Sequence, residues 1–90
     1  MSIKKISKIQ PDTFEFSKEI LQEAENEIKK YPKGKKASAV LALLYLVQKQ
    51  NENWIPLVAI KYVAKLLNIP YMQVYEVSTF YSMFNLSPVG

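Results

Sequence analysis

The chain has 90 residues and a formal net charge of +4, and it contains neither Cys nor His. That length allows one small core, and the two absences remove disulfides, the commonest metal ligands and the commonest general base. All twelve basic residues are Lys, the poorer residue for bidentate recognition of phosphate or guanine, so the charge alone does not argue for nucleic acid.

Residues 1–13 are expected to form a flexible lead-in. They carry Lys4, Lys5 and Lys8 without the apolar run of a secretory signal. The longest apolar stretch, residues 39–47, is far too short to span a bilayer, so direct membrane insertion is not expected.

Residues 14–85 read as a small all-α, four-helix domain. Ser17 is a good N-cap for the first helix, with Phe16 and Leu21 at the two positions of a hydrophobic staple. Ile20, Leu21, Ala24 and Ile28 give it a narrow apolar stripe, and Glu25 with Lys29 and Glu27 with Lys30 are helically spaced charge pairs. Pro32 ends it, because proline disfavours the α conformation of the residue before it. A turn follows at Gly34, where Lys33, Lys35 and Lys36 only faintly resemble a phosphate loop. The Gly-Lys-Ser/Thr run is missing, and the turn reads as solvated.

The second helix runs from about Lys36 to Gln50. Its middle, AVLALLYLV, is apolar on every face and predicts a central helix. Asn51, Glu52 and Asn53 end it. Trp54 is expected to close the gap before the third helix, whose first position suits Pro56. Leu57, Ile60, Val63, Ala64 and Leu67 are expected to face inward. Asn68, Ile69 and Pro70 make a corner, and the fourth helix is expected to reach about Phe84. Residues 86–90 read as the start of a linker.

The fourth helix divides into three faces on a wheel. Val74, Val77, Phe80, Tyr81 and Phe84 are expected in the core. Tyr71, Tyr75, Ser78 and Ser82 form a hydroxyl stripe, and Met72, Glu76, Thr79 and Met83 occupy the third face. One helix cannot bury all three in so small a domain, and Tyr and Met favour interfaces while charges are depleted there. The expected partner face is therefore Trp54, Tyr71, Tyr75, Ser78, Ser82 and Met83.

Chemistry is harder to place. Glu19, Glu23 and Glu27 lie on a solvated face that Lys30 opposes, and no Ser, Thr or Tyr has a candidate base beside it. No catalytic residue, cofactor ligand or metal ligand is assigned. The last two helices have the spacing of a helix-turn-helix pair, which makes a small DNA-binding protein the rival reading. Yet from Tyr71 to Phe84 there is no Lys or Arg and a single Glu. A groove-reading helix needs cations for phosphate and Arg, Lys, Asn or Gln for bases, and only Gln73 fits.

Five segments together resemble a known family. They are YPKGKKASAV from Tyr31, QNENWI from Gln50, LNIP from Leu67, VYEVSTFYSMF from Val74, and the closing Pro88-Val89-Gly90. The chain is similar, over residues 14–90, to the N-terminal helical domain of the E-subunit family of NADH-quinone oxidoreductase, respiratory complex I. The run from Val74 to Phe84 is the most specific. The resemblance departs at Asn51-Glu52-Asn53, where a glycine-rich turn is common before the Trp.

The resemblance implies a parent subunit whose following thioredoxin-like domain holds a [2Fe-2S] cluster on four cysteines, none of which maps onto this chain. It implies electron transfer from NADH in the respiratory chain, with the helical domain itself non-catalytic. The implied partners are a flavin-binding NADH dehydrogenase subunit and the parent's own thioredoxin-like domain, with no nucleic acid. The implied location is the cytoplasmic, inner face of the membrane, in a peripheral arm. The same motif occurs in small subunits of NAD-linked hydrogenases and formate dehydrogenases, which remain the alternative within this reading.

Overall fold

A computed structural model describes residues 6–31 and 36–88. The lysine-rich turn at Gly34, the first five residues and the last two lie outside the described residues. Four helices follow in order: α1 (Lys18–Lys30), α2 (Lys36–Gln50), α3 (Leu57–Leu67) and α4 (Tyr71–Phe80). Among the described residues there is no strand, so the domain is all-α as expected.

The start of α1 forms as its sequence dictates. The Ser17 hydroxyl accepts the Ile20 N–H at 3.3 Å, satisfying one of the free donors of the first turn. Phe16 is buried and Leu21 packs against the core, completing the staple. Phe14, Phe16 and Tyr62 meet edge to face with ring centroids 5.2–5.6 Å apart, tying the segment just before α1 to α3. Lys30 pairs with Glu27 at 3.0 Å, and Glu23 meets Lys49 of α2 at 3.4 Å.

The middle of the bundle is α2, which packs against α1, α3 and α4. Val40, Leu43, Leu44 and Val47 are fully enclosed. The helix is not buried all round, however: Tyr45 is exposed. At its end the chain turns through two left-handed residues, Glu52 (φ 54°) and Asn53 (φ 67°), where the family resemblance leads one to expect glycine. The gap before α3 is filled by Ile55 and Pro56, both fully buried, while Trp54 is only half-buried. Trp54 is therefore not the plug that the sequence suggested. Pro56 is the N-cap of α3, one position earlier than expected.

Helix α3 buries Ala59, Ile60, Val63, Ala64 and Leu67. Leu57, at the first position of the helix, is half-buried. Asn68 closes the helix in the left-handed conformation (φ 55°), which an Asn tolerates, and Pro70 opens α4. The helix-turn-helix spacing is thus realised as two packed helices.

Two expectations for the C-terminal part are corrected. Helix α4 stops at Phe80, and Tyr81 is extended (φ −86°, ψ 123°). The chain leaves the helix early because Phe84 and Leu86 then reach the core, where they are 1% and 2% exposed. Leu86, expected in a linker, is a core residue. The lead-in is also held: the Ser7 N–H donates to the Leu86 carbonyl at 3.0 Å, and Gln10 Oε1 accepts the Leu57 N–H at 2.9 Å.

Candidate docking face

The buried side of α4 is centred on Val74 and Ser78, both fully enclosed. Ser78 donates its hydroxyl to the Tyr75 carbonyl one turn back at 2.7 Å. A Ser at this position can be buried because that bond satisfies it locally. Ser78 is thus no surface residue, and the expected hydroxyl stripe is broken in its middle.

The other expected face residues are placed as follows. Tyr71 is exposed and stacks on the half-buried Tyr75, with ring centroids 6.0 Å apart and planes 18° from parallel. Burial first, and the Tyr75 charge second, push the Tyr71 phenol above its ordinary 10.0. Ser82 is exposed. Met83 is 40% exposed, and its sulfur accepts the hydroxyl hydrogen of Tyr45. Trp54 lies in the α2–α3 loop between Asn53 and Ile55, both of which bond to Asn85, and its carbonyl accepts from Asn51 Nδ2 at 3.1 Å.

The most exposed aromatic ring is one assigned to the core from sequence. Phe80 is 81% exposed, and Met72, on the same outward side of α4, is 58% exposed. The wheel placed Phe80 with Val77 and Phe84, a grouping that fails once the helix ends at Phe80. Phe80 meets the edge of Tyr81, at 5.4 Å between centroids. Gln73 and Glu76 share this outward side. The face is apolar at both ends, polar in the middle and without a cation. That suits a protein surface and not a nucleic-acid backbone.

A second feature was not anticipated. The side-chain amide of the buried Gln48 grips the segment after α4: Nε2 donates to the Met83 carbonyl at 3.1 Å and Oε1 accepts the Asn85 N–H at 2.7 Å. The Asn85 carbonyl in turn accepts the Ile55 N–H at 2.7 Å, and Asn85 Nδ2 donates to the Asn53 carbonyl at 2.9 Å. Gln50 makes a similar clasp at the other side of α2, accepting the Ser17 N–H at 2.9 Å and donating to the Glu15 carbonyl at 2.8 Å. The signal for Gln48 was its register, since it follows Val40 and Leu44 at steps of four on the buried stripe.

Among the described residues no group of three acidic, Cys or His side chains comes together to hold a metal ion, and no helix is long and apolar enough to cross a membrane.

The thioredoxin-like [2Fe-2S] ferredoxin family matches residues 24–90. A curated protein from Rickettsia typhi, the E subunit of NADH-quinone oxidoreductase, is 60% identical over 78 residues, covering 87% of this chain and 46% of that protein. The protein of the same name from Rickettsia prowazekii is 55% identical over 84 residues, covering 93% of this chain and 48% of the relative. That from Rickettsia bellii is 58% identical over 77 residues, covering 86% and 46%. The chain therefore spans just under half the length of these relatives. A [2Fe-2S] cluster takes Cys thiolates, or His in some variants, and neither residue type occurs here, so the residues present do not fit the cluster and none is assigned to it.

Proposed function

We propose, from the premise that this chain belongs to the thioredoxin-like [2Fe-2S] ferredoxin family, that it is the helical docking part of an NADH-quinone oxidoreductase subunit. Its role is to seat that subunit against the flavin-binding NADH dehydrogenase subunit, in a peripheral arm at the cytoplasmic face of the membrane. Electron transfer from NADH is the work of the assembled complex. The cluster belongs to a thioredoxin-like domain carried by the parent subunit outside residues 1–90. This chain supplies position and no redox group.

The observation that carries the reading is the Phe80 ring, 81% exposed at the end of an uncharged turn of α4. An exposed ring on the same side of α4 as the exposed Met72 is a poor surface for water and a good anchor for a partner pocket. Tyr71, Met72, Phe80 and Ser82 are the proposed contact residues, with Trp54 and Tyr75 contributing what edge they expose. Ser78 drops out because it is enclosed.

The test uses the full-length subunit co-expressed with its flavin-binding partner. Phe80→Lys and Met72→Glu should each cut co-purification at least tenfold, as loss of a central anchor does. Glu25→Lys, on the exposed side of α1, should leave it unchanged. Recovery of both α4 variants at wild-type yield would remove the proposal.

A further inference from the structure

Met83 is the point at which the segment after α4 is fastened to α2, and its fastening uses an oxidisable atom. The Met83 sulfur accepts the Tyr45 hydroxyl, while the Met83 carbonyl accepts from Gln48 one turn further along the same helix. The Tyr45 ring then edges onto Phe84, with centroids 5.4 Å apart. Behind this fastening lie the Asn85 N–H bond to the Gln48 side chain and two main-chain bonds, Ile55 N–H to the Asn85 carbonyl and Ser7 N–H to the Leu86 carbonyl. With Met83 40% exposed, solvent reaches the side chain that holds the set.

We propose that Met83 is an oxidation-sensitive latch for residues 83–86. A peroxide supplies the oxygen: the thioether attacks the O–O bond, an S–O bond forms, the O–O bond breaks and water leaves, the sulfur having lost two electrons. The sulfoxide is larger and far more polar than the thioether. Its oxygen is a stronger and better hydrated acceptor than the sulfur, so it draws the side chain toward water and pulls the Tyr45 hydroxyl away from its present place on the sulfur. The Tyr45 ring loses its seat on Phe84, and the segment is left with Gln48 alone on that side. Thiol-dependent reduction of the sulfoxide restores the latch.

Met72 provides an internal control, being more exposed at 58% and remote in register from the segment. The intact chain is treated with hydrogen peroxide, oxidation is located by peptide mass mapping, and amide hydrogen exchange is read at Ile55 and Asn85. Oxidation of wild-type protein should speed exchange at both amides by about tenfold, the scale of a local opening made easier. Met72→Leu should respond like wild type, and Met83→Leu should not respond. Tyr45→Phe, which keeps the ring but lacks the hydroxyl, should start with faster exchange and gain little more on oxidation. Unchanged exchange with Met83 fully converted to sulfoxide overturns the proposal. So does an equal response from Met83→Leu.

Discussion

Gln48 and Asn85 are joined side chain to main chain across 37 positions of sequence: Gln48 Oε1 accepts the Asn85 N–H at 2.7 Å, and Gln48 Nε2 reaches the Met83 carbonyl at 3.1 Å. The glutamine sits at 8% exposure on the buried stripe of α2. A polar side chain is tolerated there because both ends of its amide are satisfied.

Replacing it should therefore be costly. Gln48→Leu removes both bonds and leaves a carbonyl and an N–H with no partner in a part-buried setting. The expected loss is about 2–6 kcal/mol, from about 1–3 kcal/mol for each of the two orphaned groups. Urea unfolding of the two proteins gives the difference directly. A loss under about half a kilocalorie would mean that water takes over both bonds.

Leu86 separates a linker from a core. Because its side chain is buried, Leu86→Ala should cost about 2–4 kcal/mol, as a cavity in packed surroundings does. A residue in a solvated tether would cost almost nothing, so one denaturation curve decides between the two.

Ser78 bears on how the docking face is tested. Ser78→Ala should lower stability by about 1 kcal/mol, the usual net value of one hydrogen bond. Ser78→Lys buries an unpaired ammonium and should cost at least about 3 kcal/mol. Circular dichroism melts of the two variants should show the Lys protein largely unfolded. Any loss of partner binding by that variant would then report folding, not contact.

Glu52 occupies the left-handed region with a Cβ, a placement that costs roughly 1 kcal/mol relative to glycine. Glu52→Gly should raise stability by up to about 1 kcal/mol. Part of the gain is offset by the greater freedom of glycine in the unfolded chain. Glu52→Val should lower it. A melting series of the three proteins checks the order Gly, Glu, Val.

Tyr71 sets an alkaline limit. Burial and then the Tyr75 charge raise its phenol above 10.0, so the folded state disfavours phenolate. A raised folded value means that the contribution to stability is fully present below pH 10.0 and is lost as pH climbs through the folded value. Tyr71→Phe should flatten that part of the decline. The phenolate absorbance difference between wild type and variant should have its midpoint above 10.0.

Local chemistry made the helix starts and corners readable from sequence. Ser17, the Phe16–Leu21 staple, Pro56 and Asn68-Ile69-Pro70 each act within a few residues, and each lies where it was expected to within one position. The end of α4 was not readable. Residues 81–84 carry no Gly or Pro, and their apolar pattern continues the helical period. What stops the helix is distant: Gln48 and the core sites taken by Phe84 and Leu86. The misplacement of Phe80 follows from the same error, because a wheel extended past the helix end rotates the inferred core face. Gln48 and Ser78 shared one overlooked sign, a polar residue on the buried period with a carbonyl or amide in reach.

The 3.0 Å bond between the Ser7 N–H and the Leu86 carbonyl sets the two ends of the folded part side by side. Polypeptide entering and leaving the bundle uses a single doorway. A load pulling these two segments apart would meet that bond and, directly behind it, the Leu86 side chain seated in the core.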